Sequence, residues 1–113
     1  MSFITKKQLS VKQSNFSEAS IRDYLAEKPE LLGLGDLQIH DKERSTRYGR
    51  IDLILQNDDA ERYIVELQLG SLDPSHIIRS IEYWNHQRDA YPQYVYKVVL
   101  VAEEFSRYLE VLA

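Results

Sequence analysis

Residues 49–69 read GRIDLILQNDDAERYIVELQL, and the alternation within them decides the fold. Two runs, 50–56 and 62–69, alternate residue by residue and are rich in β-branched and aromatic side chains, the pattern of extended strands. Between them Asn57, Asp58, Asp59, Ala60 and Glu61 have turn chemistry. The stretch predicts a β-hairpin centred on Asp59, which sets Asp52 directly across from Glu66 and Arg50 across from Gln68. Ile51, Leu53 and Leu55 then share a face with Tyr63, Val65 and Leu67, as one buried face requires.

Directly opposed strand residues stand about 4.5–5.5 Å apart at Cβ. Two carboxylates at that spacing repel unless a cation lies between them. Mg²⁺ or Mn²⁺ suits such a site, being hard and oxygen-seeking, and the Leu67 carbonyl is a candidate third ligand. A metal so held orients a water, lowers its pKa and stabilises charge on a phosphate oxygen. The alternative is a solvated polar face in which Arg50, diagonal to Glu66, neutralises it.

Working outward, Asn15 and Glu18 have capping-box spacing, and Ile21, Tyr24 and Leu25 follow as an apolar stripe, predicting a helix over 17–27. Pro29 starts a short turn that ends at Gly33. Residues 37–46 read as a polar-faced strand and 3–11 as a weaker one. Asp73-Pro74 is a helix start, with Ile77, Ile78, Ile81 and Trp84 as its expected buried stripe as far as about Ala90. Residues 95–102 (VYKVVLVA) form the most hydrophobic strand, expected to be central. Residues 105–113 look helical, and the pattern has no cap at the end of the chain. The order is helix, three strands, helix, strand, helix: a mixed sheet with helices on its faces.

The chain has 113 residues, 43% of them hydrophobic, which fits one compact domain with a real core. It has no cysteine, so disulfides and thiolate metal sites are excluded, and a cytoplasmic setting is expected. No apolar run reaches the ~20 residues of a membrane span, and no membrane partner is expected. A net charge of −4 argues against gripping nucleic acid by bulk electrostatics. Local positive charge is present: Lys42, Arg44, Arg47 and Arg50 precede the carboxylates as candidate phosphate contacts, and Tyr48 beside Gly49 is a candidate base-stacking residue. His40, His76 and His86 lack zinc spacing and read as surface residues. Neither a nucleophile-elbow serine nor a phosphate-cradling glycine loop is found.

Together these residues resemble the PD-(D/E)XK nuclease superfamily, the restriction-endonuclease-like fold, over residues 16–103. Gly49-Arg50-Ile51-Asp52-Leu53, a turn, then Val65-Glu66-Leu67-Gln68 resembles the family's Asp followed by Glu-x-Lys. SEASIRDYLAEKPELL over 17–32, with GRIDL after it, is especially similar to the C-terminal nuclease domain of the NucS-type mismatch endonucleases. The resemblance implies that Asp52 and Glu66 are catalytic metal ligands, and that Glu18 is the acidic residue of the first helix that helps hold a metal or water. Read alone, Glu18 is a helix-cap acid.

The chain departs from the pattern twice. Ile51 stands before the Asp where the motif has Pro. Gln68 replaces the lysine that positions the nucleophilic water; Gln can orient a water but carries no charge. Some restriction enzymes of the superfamily resemble this chain in having Gln there. Arg50 is the nearest local substitute for the charge and Lys42 a poorer one. On the 74–90 helix, Arg79 and Tyr83 lie one turn apart; NucS-like domains have Gln where Arg79 stands and Tyr matching Tyr83, which makes the pair a candidate nucleic-acid contact.

The expectation is an α/β (α+β) chain with a restriction-endonuclease-like αβββαβ core, one nuclease-like domain over 1–113, shorter at its C-terminal end than its relatives. Its expected activity is Mg²⁺- or Mn²⁺-dependent endonucleolytic hydrolysis of DNA, with RNA as a second possible substrate, carried by Asp52, Glu66, Gln68 and Glu18. The rival expectation is an inactive nuclease-fold module for nucleic-acid binding or assembly, as a homodimer or part of a larger parent.

Overall fold

The computed structural model describes residues 3–6, 17–71 and 73–104. The expected cap at Asn15, the first strand beyond residue 6 and the helix over 105–113 lie outside them. A five-stranded sheet runs in the order β1 (Phe3–Lys6), β5 (Val95–Glu104), β4 (Glu61–Ser71), β3 (Gly49–Gln56), β2 (Gln38–Thr46). Strands β2, β3 and β4 form an antiparallel meander, whereas β5 is parallel to both β4 and β1. Parallel neighbours need a long crossover, and helix α2 (Pro74–Ala90) supplies it between β4 and β5. The most hydrophobic strand, β5, is interior, with β4 beside it at the centre of the sheet. Among the described residues no helix is long and apolar enough to cross a membrane.

The hairpin has the register read from its sequence. Leu53 pairs with Val65, Ile54 with Ile64, Leu55 with Tyr63 and Gln56 with Arg62, so the next step of the same register sets Asp52 against Glu66. The expectation of a single buried face is corrected. Leu53, Leu55, Tyr63, Val65 and Leu67 pack beneath helix α1 (Glu18–Glu27) and the turn after it, against Leu25, Leu32 and Leu37. The opposite face is buried too, with Ile54, Ile64 and Tyr96 packed against Tyr83 of α2, and Val98 and Leu100 against Ile77 and Trp84. Helices on both sides of the sheet leave no solvated face on its inner strands. Ile51 joins this second cluster, not the first. The alternation slips near Asp52, where Glu43 of β2, between the Lys42–Leu53 and Arg44–Ile51 pairs, has φ +56°.

Helix α1 is capped by Ser17, whose Oγ accepts the Ser20 N–H at 3.1 Å. Pro29–Leu32 form the expected short turn, closed by Gly33 at φ +69°. Helix α2 starts as read, with Asp73 as cap and Pro74 at the first position. Its buried stripe differs from the expected one: Ser80, Tyr83 and Gln87 are inside, while Ile78 is 58% exposed. Ser80 satisfies its hydroxyl by donating to the Ile77 carbonyl at 2.7 Å. The Gln87 amide has no hydrogen-bond partner among the described residues.

Candidate functional site

Strands β3 and β4 place two acids on the α2 side of the sheet, at the end away from their turn. Glu66 is 8% exposed. The Asp52 N–H donates to Glu66 Oε2 at 3.4 Å, and Asp52 Oδ2 accepts the Leu67 N–H at 3.0 Å. In an extended strand the N–H and C=O of one residue point the same way, so the Leu67 carbonyl is also on Asp52's side. Burial, and next the neighbouring Asp52 carboxylate, push the Glu66 carboxyl up to about 10. Burial first, and the neighbouring acid second, define this pair.

A cleft opens over the pair. It is lined by Glu18 of α1, Arg50 and Asp52 of β3, Glu66 and Leu67 of β4, and His76, Arg79 and Tyr83 of α2. Seven of these eight are residues that the sequence singled out. Glu18 arrives because α1 begins beside the end of β4, where its Oε1 accepts the Leu69 N–H at 3.0 Å. Tyr83 is fully buried and its hydroxyl donates to the Arg50 carbonyl at 3.2 Å. Burial, and then the charge of Glu66, push that phenol up to about 12. Gly49, at φ +135°, makes room for it: a Cβ there would lie 2.6 Å from the Tyr83 hydroxyl. His76 is the residue that sequence reasoning missed. Without zinc spacing it reads as a surface residue, whereas its position one turn into α2, three residues after the Asp73 cap, is the signal that places it in the cleft lining.

Several expected site residues face elsewhere. Both ends of the Gln68 amide are engaged by the α2 cap: Nε2 donates to Asp73 Oδ2 at 2.8 Å and Oε1 accepts the Asp73 N–H at 2.9 Å. Asp73 also accepts from Ser75 and from the His76 N–H, and these bonds, Ser75 first, lower its carboxyl to about 2. Gln68 is thus a strut between β4 and α2. Arg44 is held by Asp41 at 3.2 Å and by the Tyr91 hydroxyl at 2.7 Å. Arg47 stacks on Tyr48, with 4.8 Å from guanidinium to ring centre, in the β2–β3 turn. Neither arginine nor Tyr48 lines the cleft. Arg50 does not bridge the two acids: its side chain is 65% exposed and lies 3.7 Å from Glu43. Lys42 is taken by Asp23 at 3.1 Å.

Among the described residues no three His, Cys, Asp or Glu side chains converge on one point, so the acidic centre is a pair. Two carboxylates and a backbone carbonyl are a hard-oxygen donor set of the kind Mg²⁺ takes with waters completing its shell. Two acids this close repel when both are ionised, and a divalent cation between them would relieve that repulsion.

No protein-family model matches this sequence, and no curated protein sequence does. Two solved structures share its fold. The crystal structure of a repair endonuclease from Pyrococcus abyssi superposes with a TM-score of 0.70 at 21% identity, covering 86% of this chain and 44% of that one. The EndoMS complex with double-stranded DNA superposes with a TM-score of 0.67 at 18% identity, covering 85% of this chain and 41% of that one. The chain spans less than half the length of either. With its meander, its crossover helix and its cleft at the ends of β3 and β4, the chain has the restriction-endonuclease-like fold in the form seen in the NucS-type repair endonucleases.

Proposed function

We propose that the cleft is the site of a metal-dependent nuclease that hydrolyses DNA phosphodiester bonds. The buried Asp52–Glu66 pair carries this reading. Opposed acids on two inner strands destabilise a fold that does nothing with them, and here they line a solvent-open cleft beside two arginines and a histidine. Asp52, Glu66 and the Leu67 carbonyl would hold Mg²⁺ or Mn²⁺. Such an ion supplies charge neutralisation at the phosphate and a water of lowered pKa.

The chain's own residues do the rest. The Leu67 N–H fixes Asp52 Oδ2 and so holds this carboxylate in the cleft lining. Glu18, anchored on the Leu69 N–H, closes the α1 side of the cleft. Tyr83 holds the Arg50 carbonyl and so sets the height of β3 under the substrate. Gln68 acts at one remove, by fixing the α2 cap. The neighbouring structures, a repair endonuclease and a complex with double-stranded DNA, support DNA over RNA as the substrate.

A second reading, an inactive nuclease-fold module that binds nucleic acid or a partner, is favoured by one observation: the Gln68 amide is fully engaged with Asp73 and carries no charge. Incubation with Mn²⁺ and single-stranded, duplex and branched DNA separates the two. Cleavage that disappears in Asp52→Ala and in Glu66→Ala is the expected result. Intact DNA on every substrate, with metal bound, would establish the second reading.

A further inference from the structure

Phosphodiester hydrolysis builds negative charge on the phosphoryl oxygens as the water oxygen bonds to phosphorus and the bond to the leaving sugar oxygen breaks. One proton leaves the attacking water and one joins the leaving oxygen. A fixed cation at those oxygens stabilises the transition state more than the ground state. The candidates to face those oxygens are Gln68, at the position where the resembled family has its lysine, and the cations Lys42, Arg50 and Arg79, and the first three are otherwise engaged. Gln68 is neutral and bound at both ends to Asp73. Lys42 is paired with Asp23. Arg50 leans outward to Glu43, which Arg22 also holds at 2.7 Å.

Arg79 differs from all of them. It lines the cleft, as Arg50 does, but among the described residues no acid or carbonyl binds its guanidinium. Its Cδ lies 3.7 Å from where a Cβ of residue 49 would be, so the stem passes over Gly49 and beside the Tyr83 ring. Glu66 and Tyr83 both feel its charge. The α2 helix that carries it is pinned at its start by Gln68 and Asp73, two turns before Arg79.

Given the nuclease reading above, we infer that Arg79 is the cation that contacts the scissile phosphate, with Gln68 serving as the strut that holds its helix in place. A guanidinium offers a planar fork to two phosphate oxygens and does not titrate, so it stabilises charge without moving a proton.

The test compares wild type with Arg79→Gln, Arg79→Lys and Arg79→Ala, on DNA with Mn²⁺. Arg79→Gln should lower kcat ~100-fold, the usual effect of removing one transition-state donor. Arg79→Lys should keep part of the rate, and millimolar guanidinium should restore part of it to Arg79→Ala. None of these follows from a structural role, because the side chain is exposed. An unchanged kcat in Arg79→Gln overturns the assignment. If wild type leaves all DNA intact, the nuclease reading fails on its own, and the Arg79 Nε–Hε resonance, titrated with dithymidine phosphodiester, decides the phosphate contact. A shift supports the contact; a resonance that does not move overturns it.

Discussion

Strand β4 buries two charges on one face, and the fold treats them in opposite ways. Arg62 and Glu66 are four residues apart, roughly 13 Å along an extended strand, and 6% and 8% exposed. Arg62 is settled by the chain itself. Its Nε donates to Gln56 at 3.1 Å, its Nη1 to the Tyr96 hydroxyl at 3.0 Å, and its guanidinium lies 3.6 Å from the centre of the Tyr94 ring. Among the described residues Glu66 has no ion-pair partner, its carboxyl lies against the Asp52 acid, and it is settled by keeping its proton or by accepting a cation. A buried charge that is fully partnered is architecture. One that is left beside its own sign costs stability until a proton or a cation settles it.

The contrast can be broken first at Glu66. Its folded carboxyl is raised from an ordinary 4.5 to about 10, so between those values the folded chain holds a proton that the unfolded chain has lost. Stability of the metal-free protein is therefore greatest below the ordinary value and falls as pH rises towards the folded one. This is the largest expected effect. Urea midpoints across that window should slope downward in wild type and much less in Glu66→Gln, and Mg²⁺ should flatten the wild-type slope by favouring the ionised pair. Equal slopes in the two proteins would show that Glu66 is not the strained group.

At the other end of the strand, Arg62→Leu should cost about 3 kcal/mol, since it strips partners from Gln56 and Tyr96 and the cation from the Tyr94 face. The same urea titration reads this, and the loss should be as large with Mg²⁺ as without it. A loss that vanishes with Mg²⁺ would tie the two ends together and end the contrast. The smallest effect sharpens it. Gln87 is buried, neutral and without a partner among the described residues. Gln87→Leu should raise stability by about 1 kcal/mol, because it removes an amide whose desolvation is uncompensated. A destabilised Gln87→Leu would reveal a partner such as an ordered water.

Much of this was legible in the sequence for local reasons. Asparagine and aspartates at 57–59 sit between two alternating runs, and that fixes the Leu53–Val65 register and with it the facing of Asp52 and Glu66. Asp73-Pro74 announces α2 because a cap and a ring-locked φ act within one turn. The face of α2 was not legible. Ile78 looks like core and is 58% exposed, while Ser80 and Gln87 are inside. The rotation of the helix is set by the fit of Tyr83 under Gly49 and by the Trp84 indole donating to the Tyr96 carbonyl at 2.8 Å, contacts between distant residues that no helical period encodes. Gln68 was misplaced for a similar reason. Its alternation puts it beside the acids, but a carboxylate five residues on captures it first.

The fit between Gly49 and Tyr83 has a consequence for kinship. A side chain at 49 would strike a hydroxyl whose ring is fully buried and bonded to the backbone of β3, and that ring has nowhere to retreat. The two positions can therefore change only as a pair. Glycine three residues before the first acid, with a tyrosine on the following helix, forms a spaced signature tied to the shape of the cleft.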